Sequence, residues 1–240
     1  MTLTGKIAIV TGAGKGIGRA TAVLLAERGA EVVAISRTQA DLDGLKADIG
    51  GRSIAADLGS ANGAHAAMIE AGRADFLVNC AGLNVPERLL DLTDDGYDRV
   101  MDINLRAALI CMHHFAKQAV AAKTGGAIVN VTSISGHRGY PNHLAYAASK
   151  AGLEGATRVA ASELGEHGIR VNAVAPTVTT TRLAKAWLIP ENRDRMMERH
   201  ASGRYAEPEE VASVVAMLLT PDTAMITGAV VPVDGGFLAL

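Results

Sequence analysis

Residues 7–19 read IAIVTGAGKGIGR, and this stretch decides the fold. Its first five residues, 7–11, have the length and apolar character of a buried strand. A run of glycines follows and opens a helical pattern. Such a turn brings the backbone and a helix N-terminus close to a pyrophosphate, so it predicts a dinucleotide site. The spacing is Gly12, Gly16 and Gly18 rather than the strict Gly-x-Gly-x-x-Gly, and a plain tight turn is the alternative.

The rest of the chain repeats the alternation of strand and helix. Continuous apolar strands separated by helices predict an α/β Rossmann fold, a doubly wound parallel sheet of about seven strands with helices on both faces. The predicted strands are Ile7–Thr11, Glu31–Ser36, 53–56, Phe76–Asn79, 127–133, 169–173 and Val230–Val233. The predicted helices are 16–28, 41–48, 62–70, 93–122 and 144–166. With no internal repeat or linker, residues 1–240 are expected to form a single domain.

Residues 177–205 break this rhythm. The segment is long, holds the only tryptophan, Trp187, and includes Pro190. It would leave the carboxyl end of a strand, where doubly wound sheets bind ligands. We therefore expect it to cover the substrate, with a surface excursion as the alternative.

Composition narrows the class of protein. The chain has 240 residues, of which 49% are hydrophobic and 3% aromatic, so its core must be built from small and aliphatic side chains. The net charge of −2, without a basic block, argues against a nucleic-acid or anionic-membrane partner. No apolar run reaches ~18 residues, which argues against a membrane span.

The start of the chain and the cysteines indicate the compartment. The first residues lead straight into a strand pattern and lack the layout of a signal peptide. Cys80 and Cys111 lie far apart in apolar stretches, which favours reduced core thiols over a disulfide. We expect a cytoplasmic protein.

The end of the second strand predicts the type of cofactor. An NAD site normally has an acidic residue there for the ribose hydroxyls, whereas this chain has Ser36, Arg37 and Thr38. Arg37 is suited to grip a 2′-phosphate, and Lys15 adds a second cation on the same side. The sequence predicts NADPH over NADH. Two solvated surface charges are the alternative.

Ser133, Tyr146 and Lys150 form a candidate catalytic set. Ser133 ends a strand-like run, and Tyr146 and Lys150 are about one helical turn apart, so they share a face. An ammonium ~4 Å from the phenol, at an effective dielectric of ~20, interacts by ~4 kcal/mol, which is enough to lower the pKa of Tyr146 toward neutrality. A surface tyrosine beside an exposed lysine is the alternative.

The seven histidines form no His-Glu-x-x-His or comparable cluster, so no metal is expected.

Several separated motifs together resemble the classical short-chain dehydrogenase/reductase family, over essentially the whole chain. They are the glycine turn, Asp57-Leu58, Asn79-Cys80-Ala81-Gly82, Asn104, the set Ser133/Tyr146/Lys150 and the terminal Val233-Asp234-Gly235-Gly236. Within the family the chain is similar to the dicarbonyl/L-xylulose reductase (carbonyl reductase) branch. The residues that carry this closer likeness are 11–19, 36–43, Asn142-His143 and Pro176-Thr177-Val178.

Three features of these motifs bear on substrate and packing. Pro176-Thr177 replaces the Pro-Gly of most family members and so points to this branch. Cys80 stands where many members have a second asparagine, which we interpret as a packing change. Ser202-Gly203-Arg204 replaces a turn that is often more apolar in this branch, and leaves the exact substrate open.

The resemblance implies a set of cofactor contacts and a homotetramer built through the two long helices. It implies that Asp57 binds the adenine and that Asn104 holds a water linking Lys150 to solvent. Together with the motifs above, the expected NADPH/NADP site comprises Gly12, Gly14, Lys15, Gly16, Ile17, Gly18, Ser36, Arg37, Thr38, Asp57, Leu58, Asn79, Ala81, Gly82, Tyr146, Lys150, Pro176, Thr177, Val178 and Thr181.

The chemistry follows from the charge that develops during hydride transfer. When a hydride reaches a carbonyl carbon, the oxygen needs a proton donor and a stabilising hydrogen bond. We expect Tyr146 to donate the proton, Ser133 to hold the oxygen and Lys150 to bind the nicotinamide ribose, with Asn104 completing the catalytic set. The expected substrate residues are Ser133, Ser135, His137, Asn142, His143, Tyr146 and Trp187, with Gly136 and Leu144 beside them.

These expectations describe an NADPH-dependent reductase of small ketoses or α-dicarbonyls. Three alternatives stay open: a polyol or secondary-alcohol dehydrogenase acting in the oxidative direction, a 3-oxoacyl thioester reductase, and a non-catalytic NADPH-sensing protein. The intact catalytic set argues against the sensor. Pro176-Thr177 and the lack of a basic docking patch argue against the thioester reductase.

Overall fold

The computed structural model describes residues 2–189 and 197–240. Seven parallel strands form its central sheet. They are β1 Ile7–Thr11, β2 Glu31–Ser36, β3 Arg52–Ala55, β4 Phe76–Asn79, β5 Gly126–Val131, β6 Ile169–Pro176 and β7 Val230–Val233. Their order across the sheet is β3-β2-β1-β4-β5-β6-β7. The predicted α/β class, the doubly wound parallel sheet and the seven strands are confirmed.

Helices connect the strands. They are α1 Gly16–Glu27, α2 Gln39–Ile49, α3 Ala61–Ala71, α4 Asp94–Met101, α5 Ala107–Ala122, α6 Leu144–Leu164, α7 Lys185–Leu188 and α8 Pro208–Leu219. Since parallel neighbours need a crossover connection, α1, α2, α3, α5, α6 and α8 lie on the faces of the sheet and cover its apolar side chains.

The core has two layers because successive side chains of a strand point to opposite faces. On β1, Ile9 packs on one side with residues of α3, α5 and α6. Ala8 and Val10 pack on the other side with residues of α1, α2 and α8. All three side chains have 0% exposure, so the middle of the sheet is closed to water on both faces.

The strand order reverses beside β1. This strand pairs with β2 on one side and with β4 on the other, while the crossovers wind in opposite directions from it. A crevice therefore opens at the carboxyl ends of β1 and β4, where ligands bind in open α/β sheets. The glycine turn after Thr11 lies at this crevice.

Several predicted boundaries differ from the structure. Strand β5 ends at Val131, because Ser133 leaves the sheet to start a tight turn at Ile134–Gly136, whose Ser135 amide donates to the Ser133 hydroxyl. Strand β6 continues three residues beyond the predicted 173, to Pro176, since β7 pairs along its whole second half. The other helix and strand ends agree within one or two residues, apart from the two regions that follow.

The predicted helix 93–122 is interrupted. Its residues form α4 and α5, joined by a π-helical turn at Asp102–Arg106 that widens the helix around buried Asn104. Helix α8 was not predicted, although Pro208 at its first turn and the reciprocal capping of Glu207 and Glu210 are start signals that the sequence carries.

In the segment 177–205, the structure describes 177–189 and 197–205. A short turn, Arg182–Ala184, leads into α7. The Tyr205 hydroxyl donates to the Trp187 carbonyl at 3.0 Å, which joins the two described parts. Pro190 lies outside the described residues.

Candidate active site

The glycine turn approaches its neighbours too closely for side chains. A Cβ on Gly12, whose φ is +67°, would lie 2.8 Å from the Ala81 backbone. A Cβ on Gly18 would overlap the Gly12 carbonyl oxygen. Gly16 has φ +55° and faces the Thr181 side chain. Because three positions exclude a Cβ or favour glycine, the turn leaves its backbone open to a ligand, as a pyrophosphate requires.

A cavity of about 690 Å³ runs from this turn to Tyr146. This volume falls within the range of small-molecule and cofactor sites. Its lining includes most of the predicted cofactor residues, namely Gly12, Lys15, Gly16, Ile17, Gly18, Ser36, Arg37, Thr38, Leu58, Ala81, Gly82, Tyr146, Lys150, Pro176, Thr177, Val178 and Thr181. The glycine turn, the cations and this lining fit an NADP-type dinucleotide.

Three predicted cofactor residues, Gly14, Asp57 and Asn79, do not line the cavity. Gly14 faces the Ser36 side chain. Asp57 accepts a hydrogen bond from the Gly59 amide at 3.0 Å, and Asn79 donates one to Asn130 Oδ1 at 2.9 Å. These contacts shape the loops that carry the lining.

The cavity brings together Ser133, Tyr146 and Lys150. Ser133 follows β5, and Tyr146 and Lys150 lie one turn apart at the start of α6. The Ser135 amide donates to Ser133 Oγ at 3.1 Å and so orients the hydroxyl. Elements distant in sequence thus place a hydroxyl, a phenol and an ammonium on one wall.

Lys150 is buried and donates from Nζ to the Val131 carbonyl at 2.9 Å. Burial lowers its pKa to about 8, because the ammonium loses hydration that one carbonyl only partly replaces. The neighbouring Cys80 acts in the opposite direction. Burial also raises the pKa of the Cys80 thiol to about 12, so the thiol is neutral at physiological pH.

The prediction that Lys150 lowers the pKa of Tyr146 is wrong for this geometry. Lys150 Nζ lies 5.6 Å from the centroid of the Tyr146 ring and is directed to Val131. The pKa of Tyr146 is raised, because burial disfavours the phenolate; the hydrogen-bonding Ser133 hydroxyl lowers it in part. Tyr146 is therefore in its protonated, proton-donating form at neutral pH.

Asn104 lies outside the cavity lining, in the π-helical turn. Its amide donates to the Leu83 carbonyl at 2.9 Å and to Ser149 Oγ at 3.0 Å, and its Oδ1 accepts from the Leu83 amide at 2.8 Å. A Cβ on Gly82 would lie 3.2 Å from Asn104 Oδ1 and 3.5 Å from Lys150 Nζ. Asn104 therefore ties the loop after β4 to helix α6 beside Lys150.

Ser135, His143 and Trp187 line the far end of the cavity. His143 Nδ1 lies 2.8 Å from the Pro141 carbonyl, which only accepts, so Nδ1 carries the proton. The ring of His143 lies 6.0 Å from that of Tyr146 and 5.8 Å from that of Trp187. This end offers an imidazole and an indole next to the phenol.

Two predicted substrate residues do not line the cavity. His137 Nε2 lies 3.0 Å from Glu154 Oε1, so the imidazole is directed toward buried Glu154. Asn142 has φ 65°, and its carbonyl accepts from the Glu87 amide, so it serves the turn before α6.

The lining includes residues that the sequence analysis did not assign to the site, among them Asp41, Cys80, Tyr140 and Arg182. Tyr140 lies in the short interval between Ser133 and Tyr146, and an aromatic residue there could have been predicted to line the site. Arg182 lies in the predicted covering segment. Asp41 and Cys80 belong to motifs that the sequence analysis quoted, but nothing in the sequence indicated that their side chains contact a ligand.

Among residues 2–189 and 197–240, no group of three or more His, Cys, Asp or Glu side chains is placed to hold a metal ion. Within the same residues, no helix is long and apolar enough to cross a membrane. Cys80 and Cys111 are both free.

Known proteins are similar to this chain over nearly their whole length. The family model described as enoyl-(acyl carrier protein) reductase matches residues 12–238. L-xylulose reductase from Bos taurus is 43% identical over 100% of this chain and 99% of its own. Carbonyl reductase [NADPH] 2 from Sus scrofa is 37% identical over 100% and 99%. A solved structure from Beutenbergia cavernae with NADP bound at low occupancy is 35% identical, with a TM-score of 0.94 over 100% and 99% of the two chains.

The sheet order, the glycine turn, the candidate catalytic set and the full-length similarity agree, and the chain belongs to the short-chain dehydrogenase/reductase family.

Proposed function

We propose that the protein is an NADPH-dependent reductase that acts on the carbonyl group of a small ketose or α-dicarbonyl. One observation carries the proposal: Ser133, Tyr146 and Lys150 line the same cavity as the glycine turn. A hydride donor seated on that turn and a carbonyl seated beside Tyr146 would share one enclosed space.

Each side chain has a role in the proposed reaction. NADPH, when bound, supplies a hydride to the carbonyl carbon. The Tyr146 hydroxyl donates its proton to the carbonyl oxygen, and the Ser133 hydroxyl donates a hydrogen bond to the same oxygen. The Lys150 ammonium, which lines the same cavity, would donate hydrogen bonds to the ribose hydroxyls of the nicotinamide half of NADPH. Asn104 holds the adjoining loop in place.

The preference for NADPH is supported by Arg37. It lines the cavity, and among residues 2–189 and 197–240 no acidic side chain forms an ion pair with it. A free guanidinium matches a phosphate with two parallel hydrogen bonds. The NADPH named for the pig relative and the NADP bound in the bacterial structure agree with this assignment.

The substrate class is supported by the far end of the cavity and by the relatives. Ser135 and His143 offer polar atoms suited to hydroxyl groups, and Trp187 offers an apolar face. A site that binds hydroxyl groups rejects analogues without them, since its own polar groups would then be unpaired. The bovine relative is an L-xylulose reductase, a name that includes a ketose.

We extend the proposal to the assembly and the domain. Residues 1–240 would form one domain, and in the segment 177–205 the described residues 177–189 and 197–205 would cover the substrate. Two long helices, α5 and α6, pair across a homotetramer, which agrees with the exposure of Leu109 (42%) and Val159 (56%) on them. The free thiols agree with a cytoplasmic location.

Sedimentation velocity tests the assembly: a single species of fourfold protomer mass is expected, and a monomer at micromolar concentration would contradict it.

The activity test is NADPH consumption, followed by its absorbance, with diacetyl, L-xylulose and an acetoacetyl thioester. We expect turnover of diacetyl and L-xylulose and little with the thioester. Tyr146→Phe is the matched control, because it removes one hydroxyl and keeps the ring. NADP with xylitol tests the oxidative direction.

Each alternative predicts a different outcome. Turnover limited to xylitol would favour the polyol dehydrogenase. Turnover limited to the thioester would favour the oxoacyl reductase. NADPH binding without any consumption would favour the sensor, and each of these results would overturn the proposed activity.

A further inference from the structure

Asp41 is an acidic residue in a part of the cavity that carries cations. It lies in the first turn of α2, and it lines the cavity together with Lys15, Arg37 and Arg182. Asp41 Oδ2 lies 2.5 Å from Lys15 Nζ. Lys15, which the sequence analysis assigned to a 2′-phosphate, therefore already has an anionic partner.

The position of Asp41 is fixed by packing. Its side chain is 22% exposed, and a Cβ on Gly14 would lie 3.0 Å from Asp41 Cβ. The glycine turn thus closes over the first turn of α2. The hydrogen bond from Lys15 holds the pKa of the Asp41 carboxyl below its ordinary value, so this group is an anion at neutral pH.

Arg37 and Lys15 differ in whether an acidic side chain pairs with them. Among residues 2–189 and 197–240, Arg37 has no ion pair with an acidic side chain, while Lys15 is neutralised by Asp41. Among the described residues, a 2′-phosphate in this part of the cavity would meet two cations without an ion pair, Arg37 and Arg182, one paired cation, Lys15, and the Asp41 carboxylate. A like charge near a phosphate opposes binding, and a competing carboxylate reduces what Lys15 contributes.

We propose that Asp41 is a specificity-determining residue that competes with the 2′-phosphate of NADP(H) for Lys15 and so limits the preference for NADP(H) over NAD(H). The inference rests on the proposed function for the identity of the cofactor. It makes an unusual prediction: removal of a charged side chain that lines the site strengthens binding. A variant that is merely damaged would bind more weakly, so the sign of the effect separates the two explanations.

The test uses two ligands that differ in the 2′-phosphate alone. Adenosine 2′,5′-bisphosphate and adenosine 5′-monophosphate are titrated calorimetrically into the native protein and Asp41→Asn. We expect the variant to bind the bisphosphate about tenfold more tightly, which corresponds to about 1.4 kcal/mol. Its affinity for the monophosphate should change less than about twofold, because that ligand has no 2′-charge.

Asp43→Asn is the matched control. Asp43 lies in the same helix two residues further on, it is exposed, and it accepts a hydrogen bond from Gln39. The same charge is removed from the protein, but outside the cavity. We expect the affinity of this variant for the bisphosphate to change less than about twofold, since exposed charges are screened by solvent and salt.

A double-mutant cycle tests the competition itself. If Asp41 acts by occupying Lys15, then Asp41→Asn should strengthen bisphosphate binding much less in the Lys15→Gln background than in the native protein. An equal gain in both backgrounds would overturn competition for Lys15. Unchanged or weaker bisphosphate binding by Asp41→Asn would overturn the inference as a whole.

Failure of the inference is distinguishable from failure of the proposed activity. Native protein that binds the bisphosphate and gains affinity on Asp41→Asn, yet reduces no carbonyl compound, would overturn the reductase and leave the inference standing. A protein that reduces diacetyl with NADPH, but shows no gain in the variant, would do the reverse.

Discussion

At the scale of single residues, the cavity wall shifts the pKa values of Tyr146 and Lys150 toward the uncharged form of each side chain. Burial raises the pKa of Tyr146 and lowers that of Lys150 to about 8. Both shifts have one cause, the low polarity of the cavity wall, which disfavours phenolate and ammonium alike. At neutral pH, Tyr146 is therefore a protonated acid. Lys150 is a cation that loses its proton near pH 8.

Tyr146→Phe should lose most of the turnover, by about 10²–10⁴-fold, because the proton donor is removed. NADPH affinity should be retained, since the ring still fills its place. Steady-state kinetics together with a fluorescence titration through Trp187 measure both quantities. Full activity of the variant would contradict the assignment of Tyr146.

Binding of NADPH should weaken above about pH 8. The pKa of Lys150 is lowered to about 8, so the ammonium is present below that pH and lost above it. Affinity measured from pH 7 to 9.5 should fall toward about tenfold per pH unit at the high end, as the charged fraction falls.

Lys150→Arg is the control for this profile, because a guanidinium keeps its charge throughout the range. Its profile should be flat even if its affinity is lower overall. Identical profiles of the native protein and the variant would mean that another group titrates.

Arg37→Gln should reduce selectivity for NADPH. It removes a cation of the adenosine end that has no ion pair among the described residues, so NADPH should bind about 10–100-fold more weakly and NADH about as before. Dissociation constants for both cofactors give the ratio. An equal loss for both would indicate a general defect of the loop.

At the scale of elements, the π-helical turn at Asp102–Arg106 is the local irregularity that serves the site. A regular helix would carry Asn104 past the loop that follows β4. The wider turn lets its side chain make both of its hydrogen bonds to the Leu83 backbone and a third to Ser149. Such turns are frequent at functional sites because they reorient a single side chain.

Asn104→Leu should destabilise the protein by about 2–4 kcal/mol, since it leaves the Leu83 amide and carbonyl without partners. Urea denaturation measures the change in free energy of unfolding. Turnover should fall as well, because Gly82 and Lys150 adjoin Asn104.

Asn62→Leu is the matched control. Asn62 is exposed on α3, so the same substitution should change stability by less than about 0.5 kcal/mol. Equal losses for the two variants would show that the hydrogen bonds of Asn104 are not the cause.

At the scale of the whole molecule, the end of the chain supports the far end of the cavity. Phe237 has 0% exposure and forms a cluster with Ile134 and Tyr205. Its ring lies 6.2 Å from that of Tyr140 and 4.9 Å from that of His200. Three parts of the chain therefore meet at Phe237: the turn that follows Ser133, the part of the chain that carries His200 and Tyr205, and the C-terminus.

Phe237→Ala should destabilise the protein by about 3–5 kcal/mol, because it opens a cavity in this cluster. The substrate KM should rise, while NADPH affinity, set at the other end of the cavity, should change little. Denaturant unfolding and kinetics measure these effects. The control is Leu240→Ala at an exposed position (71%), and a comparable loss there would contradict the argument.

Local patterns predicted much of the fold and the site. The glycine turn could be predicted because close backbone contacts require glycine at Gly12 and Gly18. The strands could be predicted from their apolar runs, because both faces of the sheet are covered. The set Ser133, Tyr146 and Lys150 was readable because helical spacing and strand ends are local properties. Helix α8 was missed although its capping signals lie in the sequence, so that omission was one of interpretation.

The parallel sheet, the position of the glycine turn and the residue types on the cavity wall are predictable from the amino-acid sequence, because they depend on periodicity and on neighbours along the chain. Three features required the folded structure: the pairing of Lys15 with Asp41, the direction of Lys150 toward Val131 and the raised pKa of Tyr146. Distances through space and the loss of hydration are fixed by how distant elements pack. A pKa or an ion pair therefore follows from the fold and not from the spacing of residues.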